Sequence, residues 1–181
     1  RTAVQVSYAA NSSKSLFTYR QIKPFDPAIA RAVLEAFLMC LVSLLILVVA
    51  GLLEHDTVPY DPLTCLAAVF GMWLVAIGYG LCTSVLMESI PESEHVLKIL
   101  MMPLYLISGV IFPLSRIPQP YLDYLLYNPL AHGVEMARVG FFPYYHALPG
   151  VSLSYLYGWA VTLIFFGLLL FRRFERQLVM R

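Results

Sequence analysis

The residues from Ala32 to Leu53, AVLEAFLMCLVSLLILVVAGLL, hold a single charge among 22 positions. About 20 apolar residues suffice for a helix to cross the hydrocarbon layer of a bilayer. Inside lipid each backbone N–H and C=O must find a partner within the protein, so a spanning run of this kind has to be helical. The one charge, Glu35, falls at the start of the run, where it can stay near the headgroups. It also follows Arg31 by four residues, a spacing that suits a helical ion pair.

The rest of the chain repeats the pattern. Of 181 residues 60% are hydrophobic and 13% charged, with a mean hydropathy of +0.74, where a soluble domain carries about 25% charge. A chain this short leaves much of its surface outside any core. Lipid is therefore the solvent for most of that surface. A second run, 62–87, is uncharged and contains Gly71, Gly78 and Gly80, small residues that let helices approach closely. A third, 96–112, is short, interrupted by Pro103, and begins near Lys98, which can snorkel. A fourth, 152–171, opens with Tyr155, Tyr157 and Trp159, as an interfacial belt would. The expected fold class is all-α integral membrane, with four transmembrane helices at 32–53, 62–87, 96–112 and 152–171 in one domain covering 1–181.

Charge sets an expected orientation. Lys14, Arg20, Lys23 and Arg31 precede the first run, and Arg172, Arg173, Arg176 and Arg181 follow the last. Both clusters are placed on the cytoplasmic side by the positive-inside rule, and four crossings agree with that. The loop EHDTVPYD has no Lys or Arg and should face outward. The loop MESIPESEH is acidic, and acidic residues count little in the rule. A net charge of +1 with no basic stripe gives nucleic acid no surface to bind. Cys40, Cys65 and Cys82 each sit within apolar runs and read as small apolar fillers.

Three segments lie outside the spans. In 11–31, NSSKSLFTYRQIKPFDPAIAR, a short helix would end before Pro24 and lie flat at the membrane surface. It reads equally as a lipid anchor and as a docking surface for a cytoplasmic partner. Residues 113–151 are too apolar for a free loop. Stretches 121–127 and 130–142 can each form a short helix, the second with a start signal at Asn128–Pro129. They are expected to dip into the outer leaflet as a re-entrant pair. The tail 172–181, RRFERQLVMR, reads as a stop-transfer anchor on anionic headgroups.

No catalytic constellation stands out. His132 and Glu135 are three apart, a fragment of a metal-binding pattern without a second His, and Glu135 and Arg138 read equally well as a local ion pair. His132, Glu135 and Arg138 are thus candidate polar residues of the re-entrant region. Neither a P-loop nor a G-x-S-x-G or H-E-x-x-H motif occurs. No catalytic, cofactor or metal site is expected, and any ATP use falls to another chain.

The runs SLFTYRQIKPFDPAIARAVLE, MPLYLISGVIFPLSRIP and LLYNPLAHGVEMARVGFF together resemble the type-2 ABC exporter permease family. They are most similar to the inner-membrane permeases of capsule-polysaccharide export, which are similar in turn to the O-antigen and teichoic-acid permeases. The resemblance covers nearly the whole chain. It implies six spans per subunit, of which these four are the last four. Roughly the first third of a typical permease precedes Arg1, and 1–31 would hold the end of a span plus a cytoplasmic coupling helix. The resemblance assigns Ser15, Leu16, Phe17, Tyr19, Arg20, Gln21 and Lys23 to that helix, docked on an ATP-binding cassette ATPase that uses the ATP. It also implies a permease homodimer, a lipid-linked polysaccharide as cargo, an inner-membrane location, and aromatics facing the pathway. Tyr105, Phe112, Tyr121 and Tyr124 are the candidates for the last role. Rival readings are a same-fold exporter of a drug or other small hydrophobic molecule, a membrane-embedded enzyme acting on lipid-linked sugars, and a structural scaffold.

Overall fold

The computed structural model describes residues 1–12, 25–53, 58–90, 92–119, 121–146 and 148–180. All regular structure among them is helical: α1 (Thr2–Ser12), α2 (Phe25–Leu52), α3 (Pro62–Ser89), α4 (Ser93–Ile107), a 3-10 turn (Leu114–Arg116), α5 (Tyr121–Leu125), α6 (Pro129–Phe141) and α7 (Leu153–Met180). The expected coupling residues, Ser15 to Lys23, lie outside the described residues.

Among the described residues, three helices are long and apolar enough to cross a membrane: Phe25–Leu52, Pro62–Ser89 and Leu153–Phe174. Their ends depart from the hydropathy boundaries for local reasons. α2 begins at Phe25 rather than at residue 32, because Asp26 and Pro27 both favour a helix's first turn. α7 runs on past residue 171 to Met180. Arg172 and Arg173 end the apolar run, but arginine is a good helix former. The segment 96–112 departs most from a single helix. Its helix, α4, covers 15 residues from Ser93 to Ile107, or roughly 22 Å at 1.5 Å per residue. The Ser108 Oγ donates to the Tyr105 carbonyl at 2.6 Å, and Gly109 takes a φ of +76°, a conformation that suits glycine. These two residues end the helix before the run ends.

The chain forms two compact units, with α3 and α7 each contributing one part to either. The first comprises Arg1–Val58, Ala76–Pro91 and Leu163–Arg181. Here glycines set how closely helices approach. A Cβ on Gly80 would lie 2.7 Å from Val6 Cβ, and one on Gly78 2.7 Å from the Ile164 backbone nitrogen. Val6, Ala28 and Ala32 are fully buried, and Ser7 Oγ and Thr83 Oγ1 share a hydrogen bond of 2.5 Å. Glu35 lies nearly three turns into α2 and is fully buried against protein. Most of the outer α2 surface, including Leu44, Leu45, Ile46 and Val48, is exposed, as suits a helix solvated by lipid.

The second unit comprises Pro59–Val75 and Glu92–Thr162. α3 starts on a complete N-terminal cap. Asp61 Oδ1 accepts from the Leu63 and Thr64 amides and its Oδ2 from the Thr64 hydroxyl at 2.6 Å. Those bonds hold the Asp61 carboxyl below its usual range, the Thr64 hydroxyl contributing most. The end of α6 meets this cap directly, with the Asp61 amide donating to the Gly140 carbonyl at 2.8 Å. Tyr157 on α7 donates to the Ala67 carbonyl at 2.8 Å. Leu114, Leu122 and Ala131 form a small apolar core with Ile117, Leu125, Leu126 and Leu148 around it.

Candidate functional site

The polar residues expected in the re-entrant region come together on α6. The helix starts as its sequence signal indicates, with the Asn128 side chain accepting from the Leu130 amide at 3.1 Å and Pro129 at the first position. Ala131, His132, Gly133 and Glu135 are its buried residues near that start. The face that holds them is inward, and both polar side chains must be satisfied there.

Glu135 is fully buried and has a partner at each oxygen. Its Oε1 accepts from Arg138 Nη1 at 2.7 Å and from the Leu114 amide at 3.4 Å, and its Oε2 from the Tyr145 hydroxyl at 2.5 Å. Arg138 continues the network. Its Nη2 donates to the Gly109 carbonyl at 2.5 Å and the Val110 carbonyl at 3.3 Å. One carboxylate and one guanidinium therefore tie together the chain after α4, the 3-10 turn, α6 and the loop before α7. Burial, and after it the Glu135 carboxylate, push the Tyr145 phenol up from its usual range. Tyr145 thus stays a proton donor to Glu135.

His132 makes a second tie. The Ser152 amide donates to its Nδ1 at 3.0 Å, so Nε2 carries the proton and donates to the Leu126 carbonyl at 2.8 Å. Its ring centroid lies 4.6 Å from that of Tyr155, and the Tyr155 hydroxyl donates to the Tyr127 carbonyl at 3.0 Å. Both imidazole nitrogens are thus engaged by backbone. The Glu135–Arg138 spacing resolves into an ion pair, and His132 and Glu135 serve separate networks rather than a shared site.

The aromatic candidates behave differently. Tyr105, Phe112, Tyr121 and Tyr124 are all more than half exposed, and among the described residues no ring contact joins them. Arg138 fixes the backbone just before Phe112, and Leu122, buried at 6% exposure, seats α5 so that Tyr121 and Tyr124 stay outward. Sequence reading missed Tyr145, the Leu114 amide and the Gly109 carbonyl. Their link to Glu135 and Arg138 depends on chain reversals that leave no local signal.

Comparison with known proteins adds a family. The sequence profile described as ABC-2 type transporter matches residues 8–142. The chain is similar to the polysialic acid transport protein KpsM of Escherichia coli, 37% identical over 175 residues, covering 94% of this chain and 66% of the relative. It is similar to the capsule polysaccharide export inner-membrane protein CtrC of Neisseria meningitidis serogroup A, 34% identical over 142 residues, 75% of this chain and 51% of the relative. It is also similar to the capsule polysaccharide export inner-membrane protein BexB of Haemophilus influenzae, 24% identical over 166 residues, 92% of this chain and 62% of the relative. The chain therefore spans about two thirds or less of the length of these relatives.

Proposed function

Since the chain belongs to the ABC-2 type transporter family, we propose that it is the membrane-spanning permease subunit of an ATP-driven exporter of capsular or related lipid-linked polysaccharide in the inner membrane. The observation that carries this reading is that KpsM, CtrC and BexB, similar over most of this chain, are all named for polysialic acid or capsule polysaccharide transport. The subunit itself catalyses no reaction. ATP is hydrolysed by a partner ATPase, and two permease copies frame the pathway.

In this reading Ser15, Leu16, Phe17, Tyr19, Arg20, Gln21 and Lys23 receive the ATPase's closing motion. α2, α3 and α7 cross the bilayer, α4 with the turn after it makes a fourth crossing, and α5 and α6 form the re-entrant pair. A 15-residue helix is short for a 30 Å layer. The Gly109–Phe112 turn that extends it is protein-bound backbone, since Arg138 Nη2 donates to the Gly109 and Val110 carbonyls, as backbone at membrane depth must be. Tyr105, Phe112, Tyr121 and Tyr124 offer aromatic faces on which sugar rings stack through their C–H faces.

The Tyr19→Ala/Arg20→Ala variant of the full-length permease tests the coupling role. Surface polymer should fall to near background while the assembled complex still hydrolyses ATP, and undiminished export would reject the docking assignment. Single cysteines at Thr57 and Ser93 test the crossing count. Thr57 should react with an impermeant maleimide from outside and Ser93 only after the cytoplasmic face is opened, and the reverse pattern rejects the topology.

A further inference from the structure

Among the described residues, the one buried carboxylate on a long apolar helix is Glu35, in the first unit. Glu35 is fully buried, yet both of its oxygens face cations. Its Oε2 lies 3.2 Å from Arg1 Nε and its Oε1 3.4 Å from Arg31 Nη2. Arg31 Nη2 also donates to Gln5 Oε1 at 2.6 Å. Arg1 and Gln5 sit one turn apart at the start of α1, and the Gln5 amide donates to the Arg1 carbonyl at 3.0 Å. Arg31 and Glu35 sit one turn apart on α2. Two residues from each helix thus close a four-membered brace.

A lone carboxylate would not lie buried in an apolar helix without a compensating return. Simple attachment of α1 is not that return, because buried Val6, Ala28 and Ala32 and the Ser7–Thr83 hydrogen bond already provide it. What the brace adds is direction. Glu35 is buried while Arg1 and Arg31 are 62% and 40% exposed, so the attraction is moderate, but it falls with separation and so resists sliding of one helix along the other. Apolar contacts between small side chains resist sliding weakly. The brace joins the two helices that flank residues 13–24. α1 ends at Ser12 and α2 begins at Phe25, and the residues between them are those assigned above to ATPase docking.

We propose that Glu35 is a positioning residue for transport, bracing α1 against α2 so that a displacement of the segment between them moves both helices as one body. The inference rests on the coupling reading above. Arg1 and Arg31 lie within ion-pair distance of the two Glu35 oxygens and orient the carboxylate, and Gln5 holds Arg31 in place.

The test uses the full-length permease assembled with its ATPase in lipid nanodiscs, with spin labels at Val4 and Val33, and export measured in cells. In the wild type the distance between labels should be the same without nucleotide and with ATP trapped by a hydrolysis-deficient ATPase. In Glu35→Gln, which keeps the shape and removes the charge, the distance should shift or broaden when ATP binds. Export should fall several-fold at unchanged recovery of complex and unchanged basal ATP hydrolysis. The inverted triple variant Arg1→Glu/Arg31→Glu/Glu35→Arg should recover most of the export. Export loss that merely tracks loss of complex, or a Glu35→Gln distance indifferent to nucleotide, overturns the proposal. Normal export by Glu35→Gln beside a crippled Tyr19→Ala/Arg20→Ala variant removes the brace alone. Normal export by the Tyr19→Ala/Arg20→Ala variant removes the coupling reading and the brace's transport role with it.

Discussion

Glu135→Ala will destabilise the permease by about 3–5 kcal/mol, the range for removing one partner of a buried ion pair. That is a large fraction of the roughly 5–15 kcal/mol that holds a typical domain folded. The cost comes mostly from what is left behind. Arg138, 19% exposed, keeps its charge with only carbonyls for company, and the Leu114 amide and Tyr145 hydroxyl lose their acceptor. Each buried donor left unmet adds to the loss. Because the bonds end on the chain after α4, on the 3-10 turn and on the loop before α7, all three should loosen together. Glu135→Met/Arg138→Met should recover much of the stability, since well-packed apolar residues commonly replace a buried pair at little cost. Thermal unfolding of the purified protein in detergent measures both, and a Glu135→Ala protein that melts with the wild type would show that the network is not holding these segments.

Gly140→Ala should be the more damaging of two glycine substitutions on α6. Its Cβ would lie 2.6 Å from the Cys65 amide nitrogen and 2.9 Å from the Asp61 carbonyl oxygen. Those are backbone atoms at the start of α3, and they cannot rotate away. Relief requires α6 to part from α3, which breaks the Asp61 amide bond to the Gly140 carbonyl. Overpacking of this kind costs about 1–3 kcal/mol, more than the ~1 kcal/mol that alanine gains over glycine inside a helix. Gly133→Ala is the control. Its Cβ meets the Cγ and Sδ of Met72, side-chain atoms that a change of the Met72 rotamer can move, unlike backbone, so the helix gain should offset part of the clash. The unfolding midpoints should rank Gly133→Ala well above Gly140→Ala. The opposite ranking would mean that the α3–α6 contact yields more easily than the Met72 side chain.

These two sites mark how far the sequence was legible. Length and apolarity located α2, α3 and α7, because lipid solvation demands uninterrupted helical runs. The Asn128–Pro129 signal placed the start of α6, because a cap is a local interaction. In the short third run the helix stops at Ile107, before the apolar run does. Hydropathy carries through Ser108–Phe112, while the break there is made by one side chain and one positive φ. The partner Arg31 of Glu35 is legible from their four-residue step, whereas Arg1 is 34 positions away and only folding brings it near. The Glu135 hub failed in the same manner: the three-residue step to Arg138 is visible in a helix, whereas Tyr145 and the Leu114 amide depend on reversals with no periodicity. The glycines of α3 announced close packing without naming what they pack against.

The order of synthesis gives α7 a particular burden. Each compact unit takes part of its structure from α7, so neither is complete until the ribosome has added it. At ~5–20 residues per second, the 28 residues of α7 take roughly 1–6 s to make. Until they arrive Gly71 lacks Leu156, Gly78 lacks Leu163 and Ile164, and Ala67 lacks the Tyr157 hydroxyl. A chain stopped anywhere before Leu153 would present both unfinished grooves to the insertion and quality-control machinery at once. Late nonsense mutations in such a gene should therefore remove the protein from the membrane rather than leave a shortened, partly active form.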